Sequence, residues 1–407
     1  MKPTHCIYAL SFVCLLSCNN KSKQTNEATE TSLPVINLSE NISKVEGLPL
    51  SDAASGVELI KLDSSDKALF SEIGQLEITD SDIFILAIQE NIVFRFDRTG
   101  KMLNKIGQIG QGPGEYNYAW SFVVKNDTKE IYILTTSLGI YVYDFDGIFK
   151  RKVTKESMDQ MFTANEMKFR YAQQRFFLLQ NLCVTRPISS DSLWSIALVD
   201  TAFKKKKIYK NPSHVGRETE IIENRAELTG WKNYWAEKPT VTDVYNEEFT
   251  LKFPDTDTIY RYDSTTERFL PQYAIYTQEA KGDYGDTHAR FKTHAGLSYF
   301  NIINYWPSKD YIYLRATKGE SILTYAYEKS TGAVRIVEQE CKLIEQKHRF
   351  ISQILIRYEG ELPFAFKNDF YDTTFNLDYT SSGKYWVDVV EPEDEDANPH
   401  LMIATLK

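Results

Sequence analysis

Short apolar runs, broken by polar turn residues, recur along most of this chain. Asp82-Ile83-Phe84-Ile85-Leu86 is followed by Ile92 to Phe96, and Glu130-Ile131-Tyr132-Ile133-Leu134 by Ile140-Tyr141-Val142-Tyr143. The runs are too short for helices and rich in β-branched and aromatic residues, so they predict strands. Each pair runs into a turn, Asp97-Arg98-Thr99-Gly100 after the first and Asp144-Phe145-Asp146-Gly147 after the second. Asp accepts local backbone hydrogen bonds and Gly permits a positive φ, so both predict hairpin tips. The copies keep step: Gly100 to Gly147 is 147 − 100 = 47 residues, and Ile83 to Ile131 is 131 − 83 = 48. A period in the forties built from strand pairs predicts the blades of a β-propeller.

Looser copies follow. Arg175 to Leu179 precedes Trp194 to Asp200, and Asp257 to Asp263 is a strand running into its turn. Asp310 to Leu314 pairs naturally with Ile322 to Tyr327, with Ser330-Thr331-Gly332 at the tip. Tyr385 to Val389 precedes a final strand, Leu401 to Leu406. These groups count as six units. Strand-like segments also precede the first full unit, between Val57 and Ile78. Their position predicts a ring closed by pairing N-terminal strands with C-terminal ones in a single blade. The expected fold class is therefore all-β, a six-bladed β-propeller. Arg217–Leu228 and Glu345–Ile356 are candidate helices inserted on the ring, and Tyr209 to Thr240 is the largest departure from the repeat.

The first residues obey a different pattern. Lys2 precedes a largely apolar run, Ile7 to Leu16, too short to span a bilayer core of about 30 Å. This predicts a secretion signal over residues 1–17. It ends Leu15-Leu16-Ser17-Cys18, which resembles the bacterial lipobox, in which the Cys is acylated and becomes the first mature residue. The simpler reading is an ordinary signal peptide cut nearby. Residues 18–44 are rich in Ser, Thr, Asn, Lys and Glu, and predict a lipid-anchored disordered tether before a propeller over 45–407. Several acyl chains, each contributing about 0.8 kcal/mol per buried methylene, would hold the protein on a membrane. Asn19 after Cys18 resembles outer-membrane rather than inner-membrane lipoproteins, and the acidic cluster of a surface-export tag is missing, so the resemblance implies the periplasmic side of the outer membrane, with the cell surface as the alternative. Only Cys183 and Cys341 remain in the body, as a pair or as two thiols.

Composition narrows the partners. Hydrophobic residues are 42%, charged residues 25% and aromatics 13%, and the aromatics again favour strands. Net charge is −9, and cleavage after Ser17 removes only Lys2, giving −9 − 1 = −10. An acidic chain without a basic stripe excludes nucleic acid as the expected partner.

The stretch Ile106-Gly107-Gln108-Ile109-Gly110-Gln111-Gly112-Pro113-Gly114-Glu115-Tyr116, with Phe96-Asp97, Gly100-Lys101 and Asp257-Thr258-Ile259-Tyr260, resembles the signature of bacterial six-bladed β-propeller lipoproteins related to NHL-repeat proteins. The resemblance covers roughly residue 45 to the end and is strong from about 56 to 150. It implies the propeller fold. Related propellers bind proteins, glycans or nucleic acids, and a minority are enzymes, so it implies no single activity.

Each candidate site has a structural alternative. The signature residues Gly107, Gly110, Gly112, Pro113, Gly114, Glu115 and Tyr116 are not a phosphate cradle: the Gly-x-x-x-x-Gly-Lys-Ser/Thr pattern is missing, Pro113 removes a donor and Glu115 opposes an anion. They predict a tight crossover fixed by Glu115. His288 and His294, with Arg290 between them, form a loop cluster at no known zinc spacing, so no metal is expected; an acid–base or sugar-binding role is the functional alternative to a solvated loop. Trp231, Tyr234, Trp235 and Trp306 could stack on sugars or a partner, or pack an insertion onto the ring. The Asp pairs 80/82, 144/146 and 255/257 sit beside strands as turn caps, without a calcium loop. No Ser–His–Asp set or Gly-x-Ser-x-Gly elbow is recognisable.

These readings predict a membrane-anchored envelope propeller that binds a protein or glycan and needs no cofactor. The alternative is a carbohydrate-active lyase or hydrolase with its site at the central channel, where His288, Arg290 and His294 are first suspects.

Overall fold

The structure is a computed structural model. It describes residues 33–39, 42–45, 48–49, 54–135, 139–154, 167–180, 194–219, 240–253, 256–277, 301–318, 321–337, 356–357, 384–390, 392, 394 and 396–407. They form an all-β, six-bladed β-propeller. The first blade is Ile73–Ile78, Asp82–Ala87, Ile92–Asp97 and Met102–Ile106, hydrogen-bonded in chain order from inner to outer strand. The second is Ala119–Lys125, Glu130–Thr135, Ile140–Asp144 and Phe149–Val153; the third is Met167–Ala172, Arg175–Gln180, Ile196–Val199 and Lys205–Tyr209. The fourth is Val241–Tyr245, Glu248–Lys252, Thr258–Asp263 and Arg268–Tyr276, and the fifth Asn301–Pro307, Tyr311–Lys318, Ser321–Glu328 and Val334–Val337.

Burial follows from stacking sheets around a ring. Second strands are covered on both faces by neighbouring blades, so Asp82–Ala87 is buried throughout. Outer strands alternate, as in Phe149–Val153, where only one face is covered. Separate apolar cores fill the junctions. Phe84, Ile106, Phe122 and Ile133 join the first blade to the second, and Tyr132, Val142, Phe176 and Trp194 the second to the third. Phe177, Leu198, Phe249 and Tyr262 join the third to the fourth, and Ile259, Tyr305, Leu314 and Tyr325 the fourth to the fifth. Tyr313 meets Trp386 edge-on at 5.4 Å between the fifth and sixth. Ile60, Ile83, Phe94, Val387 and Leu401 then close the sixth against the first.

The sixth blade pairs Tyr385–Val390 with His400–Leu406, and His400–Leu406 with Ala54–Lys61 from the other end of the chain. The expected N-to-C closure is therefore present, carried by Ala54–Lys61 alone. Ile73–Ile78, grouped with it on sequence, instead opens the first blade, because Leu62, Ala68 and Phe70 fill the junction as the chain crosses from outer to inner position.

The propeller begins earlier than residue 45. Val35–Asn37 adds in parallel to the fourth blade's outer strand, with Ile36 opposite Ile275. Ser43–Val45 adds in parallel to the fifth blade's outer strand, and Leu48–Pro49 to Ile356–Arg357. Polar composition predicts a tether here, but Ile36 and Leu38 are enough to anchor the segment: both are buried. The Ala274 N–H donates to the Pro34 carbonyl at 2.9 Å and the Leu38 N–H to Tyr276 at 2.7 Å. Residues 1–17, Cys18, all but the last residue of the candidate helix Glu345–Ile356 and most of that at 217–228 lie outside the described residues; Ile356 itself is in a two-residue strand, Ile356–Arg357. Among the described residues no helix is long and apolar enough to cross a membrane.

Candidate functional site

Antiparallel pairing gives the blades two unlike ends. Turns between first and second strands, and between third and fourth, leave from one end. Turns between second and third strands, and the connections from an outer strand to the next inner strand, leave from the other. At the first end a carboxylate caps the outer hairpin of blade after blade. Asp97 Oδ1 accepts from the N–H groups of Thr99 and Lys101, Asp144 Oδ1 from those of Asp146 and Ile148, and Asp200 Oδ1 from those of Ala202 and Lys204. Asp263 does the same for Thr265. Gly100 lies at φ +88°, where its missing Cβ would stand 2.0 Å from the Lys61 carbonyl oxygen. This end is built of tight structural tips.

The opposite end carries the glycine-rich connection from the first blade to the second. The Gly112 N–H donates to Glu115 Oε2 at 2.8 Å and the Glu115 N–H to the Gly112 carbonyl at 3.0 Å, so the carboxylate is folded into its own loop. A Cβ on Gly110 would stand 1.9 Å from Glu115 Oε2. The Tyr116 hydroxyl, buried beneath, donates to the Asn91 carbonyl at 2.9 Å and ties the connection to the neighbouring second-to-third-strand turn. An anion could not use this loop, because its inward donor is already held by a carboxylate.

The connection delivers the chain onto the second blade's inner strand, and there the ladder slips. Ser121 pairs with Leu134 and Ala119 with Thr135, leaving Trp120 as the extra residue of a bulge. A bulge re-aims the side chain it carries. Trp120 is 53% exposed and Tyr118 36%, and their rings meet edge-on at 5.5 Å. The same slip recurs near the start of the inner strand in the first and fifth blades, where Gly74 and Ile303 are the residues passed over. The bulge thus needs no tryptophan, and in the first blade it holds a glycine. Beside the pair, Gln111 Nε2 donates to Asn117 Oδ1 at 3.0 Å on an exposed surface.

A second feature lies on the inner strands. Gln75 locks the first blade to the second: its Nε2 donates to the Phe122 carbonyl at 2.7 Å and its Oε1 accepts the Phe122 N–H at 2.9 Å. Two residues on, Glu77 keeps part of its surface open, yet protein surrounds it. Burial pushes its carboxyl up to about 8, against the opposing pull of Arg170 and the Gln75 amide. Arg170 is on the third blade's inner strand, so this interaction links blades that are not neighbours and spans the middle of the ring. The raised value favours the protonated carboxyl, which can donate a hydrogen bond. Among the described residues no group of three or more His, Cys, Asp and Glu could hold a metal ion.

Trp231, Tyr234, Trp235, His288, Arg290 and His294 lie outside the described residues, as do Cys183 and Cys341. Positions 231–235 and 288–294 fall between an outer strand and the next inner strand, the same kind of connection as the glycine-rich one. Trp306 is half-buried in the fifth blade's inner strand, opposite Tyr313. Of the paired carboxylates, Asp82 holds Arg95 at 2.8 Å, Asp80 holds Lys384 at 3.1 Å and Asp144 holds Lys150 at 2.8 Å. Sequence reasoning passed over Tyr118 and Trp120. The signal that could find them is the aligned inner strands, in which Trp120 falls where the first blade has Gly74.

Six sheets closed around an axis by strands from both termini define a six-bladed β-propeller. The chain belongs to the family described as Domain of unknown function (DUF4934), matched over residues 33–405. It is similar to the crystal structure of a Bacteroides fragilis protein predicted to be exported, at 16% identity and a TM-score of 0.59, covering 92% of this chain and 99% of that one. It is also similar to a member of the DUF4221 family from Bacteroides vulgatus, at 12% identity and a TM-score of 0.47, covering 87% and 97%. No curated protein matches the chain.

Proposed function

We propose that this chain is an envelope lipoprotein whose propeller is a binding module, with its ligand surface at the end that carries the outer-to-inner connections. The observation that carries the reading is Trp120: a large aromatic ring held in solvent by a bulge that elsewhere in the ring does without one. Exposed Trp and Tyr are the side chains that give most affinity at recognition surfaces, through large area and few rotatable bonds. The ligand is a protein or a glycan. The Phe96-Asp97-Arg98-Thr99-Gly100 hairpin and its counterpart Tyr143-Asp144-Phe145-Asp146-Gly147 support a relation to NHL-repeat propellers, and the signal and Cys18 support acylation and the periplasmic face of the outer membrane. The connections bearing Trp231, Tyr234, Trp235, His288, Arg290 and His294 would extend the same surface.

A photo-reactive amino acid at position 120, compared with one at exposed Ile148 on the opposite end, tests this in cells. Crosslinking to an envelope component from position 120 and not from position 148 is expected. Equal labelling from both, or none from 120, overturns the reading. Anchoring is checked separately: Cys18→Ala should move the protein from membrane to soluble fractions and abolish labelling by a fatty-acid analogue.

A further inference from the structure

We infer that the surface around Trp120 recognises an uncharged sugar chain, an inference that rests on the binding reading above and names its ligand class. The argument is one of charge and donor chemistry. A quarter of the chain is charged, yet residues 107–121 carry a single charge, Glu115. That charge is turned inward onto the Gly112 N–H and does not address a ligand. What remains outward is an aromatic pair, carboxamides, Pro113 and one aliphatic side chain, Ile109. Trp120 and Tyr118 present ring surface, the kind of apolar plane on which the C–H face of a pyranose stacks. Gln111 and Asn117 spend one donor and one acceptor on each other, which fixes both side chains. Gln111 Oε1 and Asn117 Nδ2 take no part in that bond, an acceptor and a donor on one connection that suit sugar hydroxyls, which both donate and accept. Gln108, also exposed, adds a third carboxamide on the same connection.

Other ligand classes fit worse. An acidic polysaccharide or a phosphate would want Lys or Arg here, and the segment has none. A protein hot spot of the usual kind pairs Trp and Tyr with Arg and an apolar surround; residues 107–121 hold no Arg, and beside exposed Ile109 and Pro113 the surround is carboxamide and glycine. The support beneath is rigid, as a sugar platform requires. Tyr116 is buried and bonded to the Asn91 carbonyl, and Tyr141 packs against its ring at 5.4 Å. Tyr118 and Trp120 therefore stand on an ordered base.

The test is calorimetric titration of the full chain in detergent with cellohexaose, xylohexaose, mannohexaose, laminarihexaose and maltohexaose, beside oligogalacturonate and a chondroitin oligosaccharide. Binding of at least one neutral oligosaccharide is expected. Trp120→Ala should weaken it about tenfold or more, and Trp120→Tyr should restore part of the loss. Unchanged thermal melting in both variants excludes misfolding as the cause. Binding that Trp120→Ala does not weaken overturns the inference, as does binding confined to the two acidic sugars. So does binding to none of them. In that last case the photo-crosslink separates the two ideas: a protein captured from position 120 leaves the binding reading standing without the sugar, and no capture removes both.

Discussion

Trp120 owes its exposure to one extra residue in a strand. Read by alternation, Tyr118, Trp120, Phe122 and Val124 share a face, and the last two are buried, so the first two read as core as well. The slip between Leu134 and Thr135 breaks that period, and nothing local in the sequence announces it. Glu115 is the opposite case. Its carboxylate was legible as an acceptor for its own loop, because a glycine run with one proline leaves few other ways to satisfy backbone donors. Gly110 is small because Glu115 occupies the space a Cβ would need. Gly110→Ala should therefore displace the carboxylate and release the Gly112 N–H, lowering stability by about 1–3 kcal/mol. In a Glu115→Ala background the same change should cost much less, because the clash is gone; a double-mutant cycle by chemical denaturation reads the difference. Additive losses would show that the loop is not held this way.

Strands and hairpins were the most legible level. Strand pairs, Asp-led tips and the spacing of the first two blades follow from residue types whose preferences are local. Asp97 and Asp144 were readable as caps because a short acceptor must sit where the chain reverses. The inner strands were less legible: Gln75 and Glu77 read as solvent-facing alternates to Leu76 and Ile78, although a ring brings its inner strands close together around the axis. The two kinds of carboxyl give opposite pH dependence. At Asp97 burial acts upwards, but the Thr99 and Lys101 donors outweigh it and hold the carboxyl below its ordinary value; at Asp263 the Thr266 hydroxyl and Thr265 N–H do the same. A lowered folded value makes this stabilisation complete above about pH 4 and lost as pH falls through the folded values. Glu77 is raised from 4.5 to about 8, so the folded state holds the proton more tightly. Its effect favours the fold most below 4.5 and declines as pH rises towards 8, with a slope of at most about 1.4 kcal/mol per pH unit. Glu77→Gln should flatten the melting profile between pH 5 and 8 and leave the acid limb unchanged. A wild-type profile already flat over that range would show that Glu77 is ionised and solvated.

At the scale of the whole ring, the question is how six sheets avoid joining their neighbours in solution. Outer strands are open edges, and an open apolar edge templates association. The first three blades meet this with charge: Lys105 on the first, Lys150 and Lys152 on the second, and Lys205 and Lys206 on the third are exposed on the outer strands. The fourth and fifth outer strands, RFLPQYAIY and VRIV, carry one Arg each, as the first carries one Lys, but they are the more apolar edges, and these are the strands that Val35–Asn37 and Ser43–Val45 cover. The N-terminal segment is thus part of the propeller's edge protection as well as the approach to its closing strand. Its role was illegible in sequence because parallel edge strands of three residues leave almost no periodic trace. Deleting residues 33–45, so that residue 32 joins residue 46, should expose both edges and remove the buried side chains of Ile36 and Leu38. At about 1.5–3 kcal/mol for each buried side chain, the upper limit of the loss is about 3–6 kcal/mol. The expected result is a lower melting temperature together with concentration-dependent association by light scattering. Ile36→Ala, which thins the packing but leaves backbone pairing in place, should lower the melting temperature without association. If the deletion leaves both melting and monodispersity unchanged, the strap is not what guards the fourth and fifth blades, and the division of labour between lysine edges and covered edges is wrong.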